Sequence, residues 1–157
     1  MTTIAVDVLN KKIASDSKVT WNGPAYSTLK IFKAKDGTLC AFCGHLSAGK
    51  KFAEWVQEGC NRKKSPVFEE GENYSGVTIN AKGVFSWDET MIPSEIVDDK
   101  FFAMGSGGAY ALAALHCGKT LEEAVELAIK LDVEGSGGKV RAMQYEPARR
   151  KTSSKKG

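Results

Sequence analysis

The sequence predicts a layered α+β domain, in which β-hairpins supply the sheets and helices cover them. Turn residues separate the apolar runs, and Asp36-Gly37 between two such runs is a strong hairpin signal. Apolar residues recur at helical spacing over residues 48–58. Thr120 and Glu123 have the spacing of a capping box, which predicts the start of a further helix. Hairpins, a helix, more strands and two more helices in this order describe an α+β fold.

Each element has its own local signal. We expect three hairpins, with strands at residues 2–8 and 12–14, 29–34 and 38–43, and 74–79 and 84–87. We expect three helices, at residues 48–58, 109–117 and 120–131. Short apolar runs predict two more strands, at residues 101–104 and 139–144. Gly59 and Gly118 follow the first two helices as stop signals, and the polar stretch 61–73 predicts a loop.

Length and composition indicate one globular domain, residues 1–147, followed by a disordered basic tail, residues 148–157. Of the 157 residues, 42% are hydrophobic and 26% charged, which is ordinary for a globular protein. We expect a cytoplasmic protein, because no apolar run is long enough to span a membrane and the N-terminus lacks a signal peptide. Five of the 22 basic residues lie in the last nine positions, so the 19 acidic residues outnumber the other 17. Without interleaved aromatic residues, such a tail predicts no nucleic-acid partner.

The four cysteines predict no disulfide framework, because they are few and irregularly spaced. Cys40 and Cys43 form one CxxC motif with His45 close behind, and His116 stands beside Cys117. A zinc site could be built from these residues, but no second CxxC or paired-histidine spacing supports it. Since a buried free cysteine behaves as a small hydrophobe, we expect no metal and no cofactor.

Thr2 is the first residue that suggests a chemical function. A small residue after Met usually permits removal of Met1, which would leave Thr2 with a free amine. A terminal Thr can then supply both a nucleophile and a base, since its hydroxyl attacks while its α-amine accepts the proton. An α-amine has an ordinary pKa of about 7.7–8.0, so a modest shift makes it neutral at physiological pH.

Asp16 and Lys30 lie near the ends of consecutive hairpins, where they could form an ion pair beside Thr2. A buried Lys usually needs a carboxylate partner, and a cation there would disfavour protonation of the neighbouring amine. On these two residues alone, a structural or surface ion pair is the preferred interpretation.

Two glycine positions suggest backbone chemistry. Gly44 closes an apolar strand, so its N–H could stabilise an oxyanion, although a glycine that only turns the chain is commoner. Gly105-Ser106-Gly107-Gly108 joins a strand to a helix, as phosphate-binding loops do, but neither the dinucleotide fingerprint nor the P-loop ending is present.

Taken together and in order, these segments resemble the proteasome β-subunit and HslV family of N-terminal-nucleophile peptidases. The similar segments are Thr2-Thr3-Ile4, residues 13–17 around Asp16, Lys30 with Ile31 and Phe32, Phe42-Cys43-Gly44, residues 104–111, and Asp132 with Ser136-Gly137-Gly138. Residues 104–111 are the most specific match, and the resemblance extends over residues 2–144. It implies a four-layer αββα sandwich of the Ntn-hydrolase type with Thr2 in the cleft between two sheets.

The resemblance also implies a role for each matched residue in a threonine endopeptidase. Thr2 would be the nucleophile, Lys30 and Asp16 would set the electrostatics, and the Gly44 N–H would bind the oxyanion. Ser106, Asp132 and Ser136 would orient the Thr2 amine. The substrate groove would be lined by Val19, Thr20, Phe32, Phe42 and Leu46. A ring-like homo-oligomer that receives unfolded protein from an ATP-dependent unfoldase is the implied assembly.

Two departures from the family pattern bear on the specificity of the pocket and on the assembly, but not on the nucleophile. The family often has an Ala-Asp pair after the glycine, whereas residues 45–48 contain no acid. Residues 59–73 are also too few for the second long helix of the family, so pairing of two rings is in question. Two alternatives to an active threonine peptidase stay open. One is a non-catalytic, proteasome-like scaffold subunit, which retention of Met1 would produce because a blocked amine cannot be the base. The other is another Ntn amidohydrolase that acts on a small amide.

Overall fold

The structure is a computed structural model that describes residues 2–20 and 23–149. Its strands are β1 (Ile4–Asp7), β2 (Lys12–Ser15), β3 (Lys18–Val19), β4 (Tyr26–Ser27), β5 (Ile31–Lys33), β6 (Leu39–Gly44), β7 (Tyr74–Asn80), β8 (Gly83–Trp87), β9 (Ser94–Glu95), β10 (Phe101–Met104) and β11 (Arg141–Gln144). Its α-helices are α1 (Leu46–Gln57), α2 (Gly108–His116) and α3 (Leu121–Leu131).

Two antiparallel sheets lie face to face between helical layers. One sheet has the strand order β10-β1-β2-β11 and the other β5-β6-β7-β8-β9, while β3 and β4 form a separate ribbon. Helices α2 and α3 cover the four-stranded sheet, and α1 covers the five-stranded sheet. This arrangement is the four-layer αββα sandwich that the resemblance implied.

Alternation along the strands directs side chains into separate apolar layers. In β1, Ile4 and Val6 enter the layer between the sheets, whereas Ala5 packs against α2 and α3. In β6, Cys43 enters the layer between the sheets, whereas Cys40 faces α1. The two thiols of the CxxC motif therefore lie on opposite faces of one strand and cannot ligate the same metal ion.

The predicted hairpins, helices and late strands are confirmed, with ends that differ by a few residues. Three strands were missed, β3, β4 and β9, because a two-residue strand has no periodicity to detect. Residues 58–73 contain one 3-10 turn at Arg62–Lys64, so within residues 2–20 and 23–149 α1 is the one α-helix on the outer face of its sheet. The predicted tail lies outside the described residues except for Ala148 and Arg149. None of the described helices has the length and apolar character needed to cross a membrane.

The predicted capping box at the start of α3 is confirmed and gives a first testable prediction. The Thr120 hydroxyl accepts from the Glu123 N–H at 3.2 Å, and the Glu123 carboxylate accepts from the Thr120 N–H at 2.9 Å. Replacing Thr120 by Ala leaves the Glu123 N–H without this acceptor, and we expect the free energy of unfolding to fall by about 1 kcal/mol. Urea unfolding at matched pH measures this change. A Thr120→Ser variant, which keeps the acceptor, should unfold close to the wild type.

Candidate active site

Thr2 lies just before β1, and Lys30 just before β5, so the two facing sheets bring them together. Both side chains are largely buried, at 7% and 5% exposure. The Lys30 ammonium donates to Thr2 Oγ1 over 2.9 Å and to Asp16 Oδ1 over 2.8 Å. The three residues predicted to share one site therefore form a continuous hydrogen-bonded group.

Asp16 follows β2 and is completely buried. Besides Lys30, its carboxylate accepts from the Thr3 N–H (2.9 Å), the Gly137 N–H (3.0 Å) and the Lys18 N–H (3.3 Å). A buried charge is tolerated only with partners of this kind, so the backbone around Asp16 is built to hold a carboxylate. Burial lowers the pKa of Lys30, and the attraction of Asp16 opposes this effect without cancelling it.

A second hydrogen-bonded group surrounds the backbone nitrogen of Thr2. The Thr2 N–H, an amide because Met1 precedes it, donates to Ser106 Oγ at 3.3 Å. Ser106 Oγ donates to Asp132 Oδ2 at 2.6 Å, and Ser136 Oγ donates to the same oxygen at 2.7 Å. Burial alone would raise the pKa of Asp132, but the hydrogen bonds from Ser106, Ser136 and the Gly135 backbone outweigh it and lower that pKa.

The glycines of residues 105–108 let this loop close over the start of the chain. A Cβ on Gly105, whose φ is +91°, would lie 2.0 Å from the Thr2 carbonyl oxygen. A Cβ on Gly107 would lie 1.9 Å from Thr3 Oγ1. The Gly107 N–H also donates to the Thr2 carbonyl at 3.4 Å. The loop that resembled a phosphate-binding sequence thus packs on residues 2 and 3.

Strand register directs the Gly44 N–H away from β7. Gly44 is opposite Tyr74, and the next pair, His45 and Asn73, is joined by a hydrogen bond from the His45 N–H. Because hydrogen-bonded pairs alternate along an antiparallel ladder, the Gly44 N–H points to the β5 side. Strand β5 begins only at Ile31, whose partner is Ala41, so the ladder stops short of Gly44. The N–H is aimed towards the side where Gly44 shares a cavity with Thr2.

This cavity has a volume of about 470 Å³ and contains every predicted groove residue. Thr2, Lys30 and Gly44 lie on its wall, together with Val19, Thr20, Phe32, Phe42 and Leu46. The rings of Phe32 and Phe42 stack in parallel, with centroids 6.0 Å apart. The sequence interpretation missed the residues that one face of α1 adds to the wall, which are Lys50, Ala53, Glu54 and Gln57. These four residues are spaced i, i+3, i+4 and i+7, so the sequence indicated that they share one face of the helix.

All four cysteines are free thiols in the structure. Burial raises the pKa of Cys40 to about 12 and also raises that of Cys43. Such thiols are poor metal ligands, because a metal binds the thiolate. Within residues 2–20 and 23–149, no three His, Cys, Asp or Glu side chains cluster as a metal site would require.

Comparison with known proteins identifies the fold. No protein-family model and no curated protein sequence matches the chain. The structure of HslV from Trypanosoma brucei matches with a TM-score of 0.66 and 19% identity, over 91% of this chain and 98% of that one. The Thiobacillus denitrificans protein BPH in complex with epoxomicin matches with a TM-score of 0.60 and 21% identity, over 93% and 100% of the two chains. A second structure of Thiobacillus denitrificans BPH matches with a TM-score of 0.58 and 19% identity, over 94% of this chain and 100% of that one.

The predicted fold class is therefore confirmed. The chain has the HslV and proteasome β-type fold, and its two larger sheets and three described α-helices form the αββα sandwich.

Proposed function

We propose that the protein is a threonine endopeptidase whose nucleophile is Thr2 after removal of Met1. The observation that carries this proposal is the contact of the Lys30 ammonium with Thr2 Oγ1 at 2.9 Å, beside the fully buried Asp16. A threonine hydroxyl with only a structural role has no need of a buried cation. The similarity to HslV and BPH supports the same conclusion, since both have this fold.

Each predicted residue has a part in the proposed reaction. The Thr2 hydroxyl attacks the peptide carbonyl, and its proton passes to the free α-amine of the same residue. The negative charge that develops on the carbonyl oxygen is stabilised by the Gly44 N–H. The amine then gives the proton to the leaving amino group as the C–N bond breaks. Water hydrolyses the resulting ester and restores the Thr2 hydroxyl.

The charges around Thr2 suit this sequence of steps. The Lys30 ammonium lowers the cost of forming an alkoxide and disfavours a second cation at the adjacent amine. Asp16 keeps Lys30 in place, since its remaining contacts are to the backbone of Thr3, Lys18 and Gly137. Ser106 and Asp132, with Ser136 beside them, orient the lone pair of the amine towards the hydroxyl proton.

The substrate is proposed to be an unfolded polypeptide with an apolar side chain before the cleaved bond. The stacked Phe32 and Phe42 rings form an apolar wall next to Thr2, with Leu46 and Val19 close by. A cavity of about 470 Å³ accommodates one large side chain.

We further propose a ring-like homo-oligomer in the cytoplasm, supplied by an ATP-dependent unfoldase. Helix α2 has no Asp, Glu, Lys or Arg, yet its outer face, with Ala109, Tyr110 and Ala113, is exposed in the single chain. An uncharged helix of this kind is typical of one that is covered in an assembly.

Mass spectrometry of the intact purified protein tests the central step. We expect loss of Met1, followed by a stoichiometric mass increase on incubation with epoxomicin, the ligand bound to BPH. An epoxyketone offers two electrophilic centres, one for the hydroxyl and one for the amine of a terminal Thr.

The matched control is the same protein acetylated on its α-amine, which should not form the adduct. Peptide hydrolysis by protein that still carries Met1 would contradict the mechanism, because the base would be absent. Full removal of Met1 without adduct or hydrolysis would instead favour the non-catalytic scaffold subunit.

A further inference from the structure

Thr3 connects the two carboxylates of the site. It is completely buried, and its N–H donates to Asp16 Oδ1 at 2.9 Å. Its hydroxyl lies 2.6 Å from Ser136 Oγ, which in turn donates to Asp132 Oδ2 at 2.7 Å. The proposed reaction assigns no role to the Thr3 side chain, although the loop after β10 leaves a slot for it at Gly107.

The direction of these hydrogen bonds follows from counting protons. The pKa of Asp132 is lowered, so its carboxylate is an acceptor at neutral pH. Ser106 and Ser136 each have one hydroxyl proton, and each donates it to Asp132 Oδ2. For Ser106 this contact, at 2.6 Å, is much shorter than its contact with the Thr2 carbonyl oxygen, at 3.5 Å. Ser136 can then only accept from Thr3, and Ser106 can only accept from the Thr2 nitrogen. The Thr2 nitrogen and the Thr3 hydroxyl thus each donate to a serine, and both serines donate to the Asp132 carboxylate.

We propose that Thr3 is a positioning residue, whose hydroxyl ties the N-terminal strand to Asp132 through Ser136 and so holds the Thr2 nitrogen against Ser106. This inference deepens the proposed function and rests on it. The Thr3 hydroxyl packs directly against Gly107, because a Cβ on that glycine would lie 1.9 Å from Thr3 Oγ1. A displaced Thr3 would also move its N–H away from Asp16, which holds Lys30.

The Thr2 amine reports on this arrangement through its pKa. The charged and titratable groups that share its surroundings are Asp16, Lys30, Cys43 and Asp132, with Lys50 and Glu54 farther along the cavity. Without the Thr3 donor, Ser136 becomes a weaker donor, and more negative charge remains on Asp132. That charge stabilises the ammonium form, so the amine pKa should rise and the acid limb of kcat/KM should move to higher pH.

The test compares Thr3→Val, which removes only the donor, with Thr3→Ser, which restores it. For Thr3→Val we expect kcat to fall roughly tenfold while KM changes by less than about twofold, because orientation rather than binding is lost. Thr3→Ser should stay within about twofold of the wild type. In parallel, NMR titration of 13C-labelled Thr2 in Met1-free protein gives the amine pKa without any need for turnover.

The outcomes separate the two proposals. A raised amine pKa in Thr3→Val supports the positioning role, even if wild-type protein hydrolyses no peptide and the proposed function fails. An active wild type whose Thr3→Val variant is less stable but has an unchanged amine titration overturns the positioning role alone. Should Thr3→Val not fold, Ser136→Ala removes the group that accepts from the Thr3 hydroxyl. An unchanged pKa of the Thr2 amine in that variant would also contradict the positioning role.

Discussion

Replacing Thr2 by Ala is expected to abolish peptide hydrolysis, with a loss of at least about 10³-fold in kcat/KM. The change removes the nucleophile but keeps a residue small enough for Met1 removal. Hydrolysis of a fluorogenic peptide and adduct formation with epoxomicin, followed by mass spectrometry, measure the loss. No residual activity is expected from the amine, because it is proposed as a base only.

The fold should survive this substitution. Lys30 keeps its contact with Asp16 when the Thr2 hydroxyl is removed, so no buried charge loses its main partner. We expect the free energy of unfolding to change by no more than about 1–2 kcal/mol. Thr2→Ser is the matched control and should keep measurable activity, since it retains both hydroxyl and amine. A Thr2→Ala protein that folds and still cleaves peptides at the wild-type rate would refute the assignment of Thr2 as the nucleophile.

Local patterns in the sequence predicted the elements that short-range chemistry controls. Asp36-Gly37 predicted its hairpin, and the Thr120 and Glu123 spacing predicted the start of α3, because a turn or a cap needs only neighbours a few residues away. The resemblance to a known family, which depends on the order of the motifs, implied that Asp16, Lys30 and Gly44 share one site with Thr2.

Contacts between distant segments were beyond such patterns. The Gly137 N–H bonds Asp16 across 121 positions, and Thr3 meets Ser136 across 133. Neither contact has a periodicity, because each depends on how β1, β2 and the loop after α3 meet in space. The wall contributed by Lys50 and Glu54 was missed for a related reason. The helical pattern showed which side of α1 is apolar, but not that its edge borders the Thr2 cavity.

Replacing Lys30 by Met should produce the largest loss of stability among these variants, together with loss of activity. Met keeps a linear apolar side chain but removes the charge, so the buried Asp16 carboxylate is left with backbone donors alone. Breaking a buried ion pair in this way costs about 3–5 kcal/mol. Urea unfolding gives the stability, and a fluorogenic peptide gives the activity, which should fall at least about 10²-fold because the alkoxide loses its cation.

Lys12→Met is the matched control for this prediction. Lys12 forms an ion pair with Glu122 at 2.7 Å, close to the 2.8 Å between Lys30 and Asp16. The Lys12 and Glu122 side chains, however, are 35% and 41% exposed. Water screens such a pair, so its removal should cost less than about 1 kcal/mol and leave peptide hydrolysis unchanged. If the two substitutions destabilised the protein equally, Lys30 and Asp16 would not form a buried charge pair in solution. Full activity of Lys30→Met would show that the cation beside Thr2 has no part in the reaction.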